Sequence, residues 1–227
     1  MLILALDAST PTTTVALARA NGDDREILAE LSVGSHGPSG GASETLLPAA
    51  HAALEFAGED LAAVGLILCG VGPGTFTGIR IAAATARALA LGTGAGLAKS
   101  STLDALAAPA LAAHGDVLAV IDAKRGQVFA RRYGPTGPPT EILCLGPEKL
   151  SAEGRPLLVG DGALRYREEL GRLGQIPPDH SPLHRVSAVG HVISSDLKRV
   201  PAEDLVPVYV REPDAEVRRE MNPWGRP

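Results

Sequence analysis

The chain has 227 residues, Lys+Arg 21 against Asp+Glu 26, a formal net charge of −5, 45% hydrophobic and 21% charged residues. That length allows one large domain or two small ones, each with its own core, and the composition is that of a soluble globular protein. With 3% aromatic residues and an acidic balance, a base-stacking platform and a broad grip on a nucleic-acid backbone are both excluded.

The chain opens on "LILAL" (Leu2 to Leu6), an apolar strand ending in Asp7, then the hydroxyl-rich "ASTPTTT". A second strand, Val15 to Ala20, turns at "NGDD" into a third around Ile27 to Val33. After a Gly/Ser loop (Gly34 to Ser43), Leu46, Leu47, Ala50, Leu54 and Ala57 recur at helical spacing. Ser43 is the expected N-cap and Gly58 the stop. A buried strand, "VGLILC" (Val64 to Cys69), then runs through "GVGPGTFTGIR" (Gly70 to Arg80) into a helix expected over Thr77 to Leu91.

Ser101, with Asp104 three residues on, suggests a capping-box start for a connecting helix. Beyond it the order of elements recurs. "VLAVIDA" (Val117 to Ala123) ends near Asp122, "QVFARRY" follows a turn, and a third strand lies around Glu141 to Leu145. "PLLVGDGA" (Pro156 to Ala163) then leads into a helix, Leu164 to Leu173. Two copies of a βββαβα unit imply an α/β protein of two lobes with mixed sheets and a cleft between them. The boundary falls near residue 101, giving lobes 1–101 and 102–227, the latter with a Pro- and charge-rich tail from Pro201 expected to fray at its end.

Cys69 and Cys144 are isolated, so neither a disulfide framework nor a zinc site is expected. His36, His51, His114, His180, His184 and His191 show no H-x-x-x-H pair, and no G-x-S-x-G elbow accompanies the serines. The start of the chain lacks the marks of a signal peptide, and the apolar stretch Ile81 to Ala98 is broken by Arg87 and three glycines. A cytoplasmic protein without a membrane span is the expectation.

Two stretches carry chemistry. Asp7, Ser9 and Thr10 offer a carboxylate for a metal-water shell and hydroxyls for a phosphate; the same residues suit a polar turn that caps its own backbone. In the glycine loop, Ile79 and Arg80 stand where a phosphate-binding loop needs Lys, and Gly72, Gly74 and Gly78 miss the dinucleotide spacing. What remains is a close-approach loop opening a helix at Thr77, suited to an anion or to a partner's backbone. The nucleotide or phosphate candidates are therefore Asp7, Ser9, Thr10, Gly72, Gly74 and Thr77. The alanine-rich helix behind them, broken mainly by Arg80 and Arg87, belongs in a core or against another chain.

"ILALDAST", "SETLLP", "GVGPGTFTGIRIAAATARALAL", "STLDALA", "IDAKRGQVF" and "PVYVREPDAE", in this order, resemble the TsaB (YeaZ) family. The resemblance implies an actin/hexokinase-like (ribonuclease H-like) fold with no catalytic or metal-binding residue. It also implies a non-catalytic subunit in the synthesis of tRNA threonylcarbamoyladenosine, the modified base beside the anticodon. Such a subunit pairs with the catalytic TsaD, with the ATPase TsaE and with itself, and meets tRNA only through the complex. It implies no cofactor required by this chain and leaves open weak ATP or ADP binding in the assembled complex. One departure is Ala42, where the family pattern has His before Ser-Glu. The family's pairing helices begin here at Ser43 and Thr77, making Leu46, Leu47, Ala50, Ile81 and Arg87 the contact candidates. The alternative is an independent small-molecule kinase of the same fold, which would need Asp7, Ser9 and Thr10 in the cleft and a second carboxylate as base.

Overall fold

Leu2, Leu4 and Leu6 alternate with Ile3, Ala5 and Asp7 along β1 (Leu2–Asp7), and all six are buried. A strand buried on both faces belongs inside a sheet covered on both sides. The computed structural model, which describes residues 1–34, 41–135 and 137–210, places β1 there. It pairs antiparallel with β2 (Thr12–Asn21), which pairs with the edge strand β3 (Asp24–Gly34). After α1 (Ala42–Ala57), β4 (Val64–Gly70) joins β1 in parallel; α2 (Phe76–Thr93) then leads to β5 (Gly96–Ser100), parallel to β4.

The second half begins with α3 (Thr102–His114) and builds its own sheet. β6 (Val117–Lys124) pairs antiparallel with β7 (Gln127–Tyr133), β7 with β8 (Leu143–Leu145), and β6 in parallel with β9 (Leu157–Val159). Two short helices follow, α4 (Asp161–Arg165) and α5 (Arg167–Leu170). The chain then returns to the first sheet through α6 (Ala188–Ser194) and β10 (Arg199–Val200), which pairs with β5. The sheet orders are β10-β5-β4-β1-β2-β3 and β8-β7-β6-β9. Each holds the same arrangement of hairpin, inner strand and parallel fourth strand, the duplicated actin/hexokinase-like architecture.

Side-chain alternation sets the layers. Leu2, Leu4, Leu6, Val15, Leu17 and Ile67 pack against α1 and α2, while Ile3, Ala5, Ala16, Ala18, Leu66 and Leu68 pack against α6. In the second sheet Val117, Ala119, Ile121 and Phe129 meet α3, and Leu118, Val120, Val128 and Ala130 meet α4 and α5. Helices α3 and α6 form the seam between lobes. They approach closely because Gly190 has no side chain; a Cβ there would collide with the Ala105 carbonyl.

Four local expectations are corrected. Helix α1 starts at Ala42 with Gly41 as N-cap and no side-chain cap bond, so Ser43 lies inside the first turn; its stop is Gly58, as expected, with φ 67. Ser101 is the N-cap of α3, as expected, but its side chain makes no cap bond, and Asp104 bonds Arg131 and Tyr133 instead of reaching back to it. In the second lobe a single 3-10 turn, Pro147–Lys149, stands where the repeat has a helix, since only a short link separates β8 from β9. The helix expected over Leu164 to Leu173 is two short pieces broken at Tyr166, whose φ is −112. As to the lobe boundary at 101, β1 to β5 precede it and β6 to β9 follow it, while α6 and β10 come from beyond it and lie on the first sheet.

Cys69 is fully buried between β4 and the first helical layer, where burial, reinforced by the Asp7 charge, pushes its thiol far above the ordinary range. The thiolate is the reactive form, so Cys69 should resist Ellman's reagent in the folded protein. The half-buried Cys144 should react first, and both should react in denaturant. No helix among the described residues is long and apolar enough to cross a membrane.

Candidate functional site

Beneath the turn after β1, Asp7 is fully buried. Its Oδ1 accepts from the Ser9 amide at 2.6 Å and the Ser9 hydroxyl at 2.7 Å. Its Oδ2 accepts from Thr102 Oγ1 at 3.1 Å and from His191 Nε2 at 2.9 Å. Four donors satisfy the roughly four acceptor positions of a carboxylate, so its hydrogen-bonding capacity is used within the chain. Burial alone would raise the Asp7 carboxyl, but the His191 bond and charge, with the two Ser9 bonds, hold it below its ordinary value. The network ties β1, the start of α3 and α6 into one knot at the seam. Gly70 makes room for it, since a Cβ there would overlap the Asp7 carboxylate.

The glycine loop closes over the same turn. The Thr75 amide donates to the Ser9 carbonyl at 2.6 Å, and Thr102 N–H donates to the Gly72 carbonyl at 2.9 Å. A Cβ on Gly74 would strike Ser9, and one on Gly78 the Ala8 carbonyl. Gly72 adopts φ +99, a region that favours glycine. What approaches these glycines is therefore the chain's own "DAST" turn.

Between the lobes lies a cleft of about 370 Å³ lined by Thr10, Thr12 and Ser32 on one side and Asp161, His184 and Arg185 on the other. Burial raises the Asp161 carboxyl, and the nearby Asp122 charge adds to this against an amide bond from Asp122. Of the nucleotide or phosphate candidates, Thr10 lines this cleft; Asp7 and Ser9 are buried, Gly72 and Gly74 lie in the loop, and Thr77 is exposed at the start of α2. The structure thus separates the six. Among the described residues no three His, Cys, Asp or Glu side chains converge as metal ligands.

The contact candidates divide too. Leu46 and Ala50 point into the first core, Ile81 is half-buried, and Leu47 and Arg87 are exposed. The outward face of α1 runs through Glu44, Leu47, His51 and Glu55, and that of α2 through Thr77, Arg80, Ala84, Arg87, Ala88 and Leu91. Leu91 is 89% exposed and Leu47 52%. Sequence periodicity found the two helices but not which stripe the sheet covers. His191 and Thr102, which complete the Asp7 knot, carried no signal at all, being far from Asp7 in sequence.

A family model described as "TsaD: tRNA N6-adenosine threonylcarbamoyltransferase" matches residues 39–140. The uncharacterised protein Rv3421c of Mycobacterium tuberculosis is 32% identical over 219 residues, 94% of this chain and 93% of that one. The tRNA threonylcarbamoyladenosine biosynthesis protein TsaB of Bacillus subtilis is 31% identical over 136 residues, 59% of this chain and 55% of its own length. Among solved structures, YeaZ from Pseudomonas aeruginosa superposes with a TM-score of 0.74 at 27% identity, covering 92% of this chain and 100% of that one.

Proposed function

The chain belongs to the TsaB/YeaZ family, and from that membership we propose that it is a non-catalytic scaffold subunit in tRNA threonylcarbamoyladenosine synthesis. In this reading it pairs with a TsaD-type catalytic subunit, works with a TsaE-type ATPase, also pairs with itself, and meets tRNA only through the complex. The observation that carries the reading is the outward face of α1 and α2, where Leu47 and Leu91 stand exposed beside short alanines that permit close helix approach. The Asp7 knot supports it from the other side. The kinase reading needs the Asp7 carboxylate free at the cleft, whereas it is buried and bonded to Ser9, Thr102 and His191. The chain needs no cofactor of its own, and weak ATP or ADP binding belongs to the assembled complex.

Isothermal titration of the chain into a TsaD-type subunit from the same organism tests the pairing. Saturable binding at micromolar concentration is the expected outcome, and Leu91→Glu, which sets a charge on the most exposed leucine at the C-terminal end of the α2 face, should abolish it. A flat titration with the unmodified chain would remove the reading.

A further inference from the structure

The charged groups around the cleft between the lobes are unequally satisfied. Lys124 Nζ lies 2.8 Å from Asp122 Oδ2 and Arg165 Nε 3.6 Å from it, so both cations attend Asp122. Asp161, half-buried and lining the cleft, receives only amide hydrogens, from Asp122 at 3.0 Å and from Gly162. Among the described residues no Lys, Arg or His forms an ion pair with it. A carboxylate held by amides alone, with the Asp122 charge close by, gains from any cation that reaches it. The other titratable groups on that wall differ among themselves. His184 offers the cleft nothing polar, since its two ring nitrogens lie 3.2 Å from the Gly160 and Pro177 carbonyls. Asp179 is paired with Arg167 at 2.5 Å. Arg185 is exposed, and its guanidinium has no hydrogen-bond or ion-pair partner among the described residues.

One carboxylate and one guanidinium, both short of partners, thus share a cleft with an apolar floor of Leu106, Ile121 and Val186 and the hydroxyls of Thr10 and Thr12 opposite. This lining selects by charge and by size. A hard metal ion takes several oxygen ligands, and among the described residues no three acidic, His or Cys side chains converge to supply them. A nucleoside triphosphate needs several cations around its phosphates and gains from a stacking ring, whereas the described lining holds Arg185 and no aromatic residue. The volume, about 370 Å³, is at the low end for ligand cavities. A small zwitterion answers each part of this lining. Its ammonium supplies the cation that Asp161 lacks, its carboxylate matches the fork of a guanidinium, and a short polar side chain suits the threonine hydroxyls.

We propose that the cleft between the lobes binds a small zwitterionic amino acid, its ammonium on Asp161 and its carboxylate on Arg185. The site shares no residue with the outward face of α1 and α2, so it stands or falls separately from the pairing. The isotope-labelled full-length chain is titrated with L-serine, with ethanolamine, which lacks the carboxylate, with lactate, which lacks the amine, and with ATP, and amide shifts are followed by NMR. L-Serine should saturate with a Kd of about 1–10 mM, the range open to so small a ligand. Ethanolamine and lactate should bind about tenfold more weakly or worse, and ATP should not compete. Asp161→Asn and Arg185→Gln should each weaken L-serine by about tenfold or more. Asp161→Asn keeps a side-chain oxygen for the Asp122 amide and removes a half-buried carboxylate that has no cation, so it should melt no lower than the unmodified chain. Arg185 is exposed, and Arg185→Gln should melt with it; should Asp161→Asn melt early, Arg185→Gln carries the comparison. No saturation by L-serine, or unchanged affinity in both variants, overturns the site. Ethanolamine binding as tightly as L-serine removes the carboxylate contact and with it the zwitterion. Saturation by ATP and not by L-serine gives the cleft to a nucleotide and overturns the assignment.

Discussion

His191→Ala should destabilise the chain by about 3–5 kcal/mol at neutral pH, the cost of leaving the buried Asp7 carboxylate without the side chain that donates to it. Asp7 and His191 are both fully buried, and the side chains of Ser9 and Thr102 complete the same network. The loss has a pH signature. The folded Asp7 carboxyl sits below its unfolded value, which is about 4 for an exposed Asp. Its contribution is therefore fully present above that pH and is lost as the pH falls through the folded range. In His191→Ala the group that lowers it most is gone and burial prevails, so protonation relieves the buried charge. Urea unfolding of both chains from neutral to acid pH should show the gap narrowing from above about pH 4, where the raised carboxyl of the variant takes up its proton, and narrowing further below about pH 4, where the unmodified chain loses the Asp7 contribution. Asp7→Ala combined with His191→Ala should cost less than the two single losses added, because the second removal no longer strands a charge. A constant gap across the pH range would contradict this account of the knot.

Gly78→Ala should be comparably damaging, although it is a Gly-to-Ala change inside a helix. Elsewhere in helices that substitution stabilises by about 0.5–1 kcal/mol. At Gly78 the new Cβ would fall against the Ala8 carbonyl and the Thr75 hydroxyl, both closer than the 3.0 Å that real Cβ atoms keep. The backbone carbonyl cannot rotate away, so α2 must shift off the β1 turn, at a cost of about 3 kcal/mol or more. Gly92 lies in the same helix with nothing within 4 Å of its Cβ position. Gly92→Ala should accordingly raise the melting temperature while Gly78→Ala lowers it, two signs from one substitution. Thermal melts followed by circular dichroism read both.

The same residues explain what the sequence made legible. Alternation in "LILAL" and the run "VGLILC" are local, and a strand buried on both faces leaves that signature in its own few residues. The hairpin repeated at Leu2 and Val117 was visible for the same reason, and from it followed the two lobes. The glycine loop could be read only by elimination, since nothing local says which backbone will press on Gly74 and Gly78. Asp7 looked like a cleft ligand because its partner His191 stands 184 residues away. Tyr209 is likewise 129 residues from Arg80, and β10 is two residues long, too short for any pattern. Long-range pairings of this kind are set by the assembled layers, and a single sequence shows them only once the fold is known.

The proposed role of this chain is to complete another subunit. Its most direct test is a reconstitution on unmodified tRNA with the TsaD-type subunit, the TsaE-type ATPase, ATP and a threonylcarbamoyl donor, with and without this chain. Digested nucleosides are then weighed by mass spectrometry for threonylcarbamoyladenosine. Sustained product is expected only when this chain is present, and none from this chain alone. Equal product without it, or product from this chain by itself, would contradict the claim.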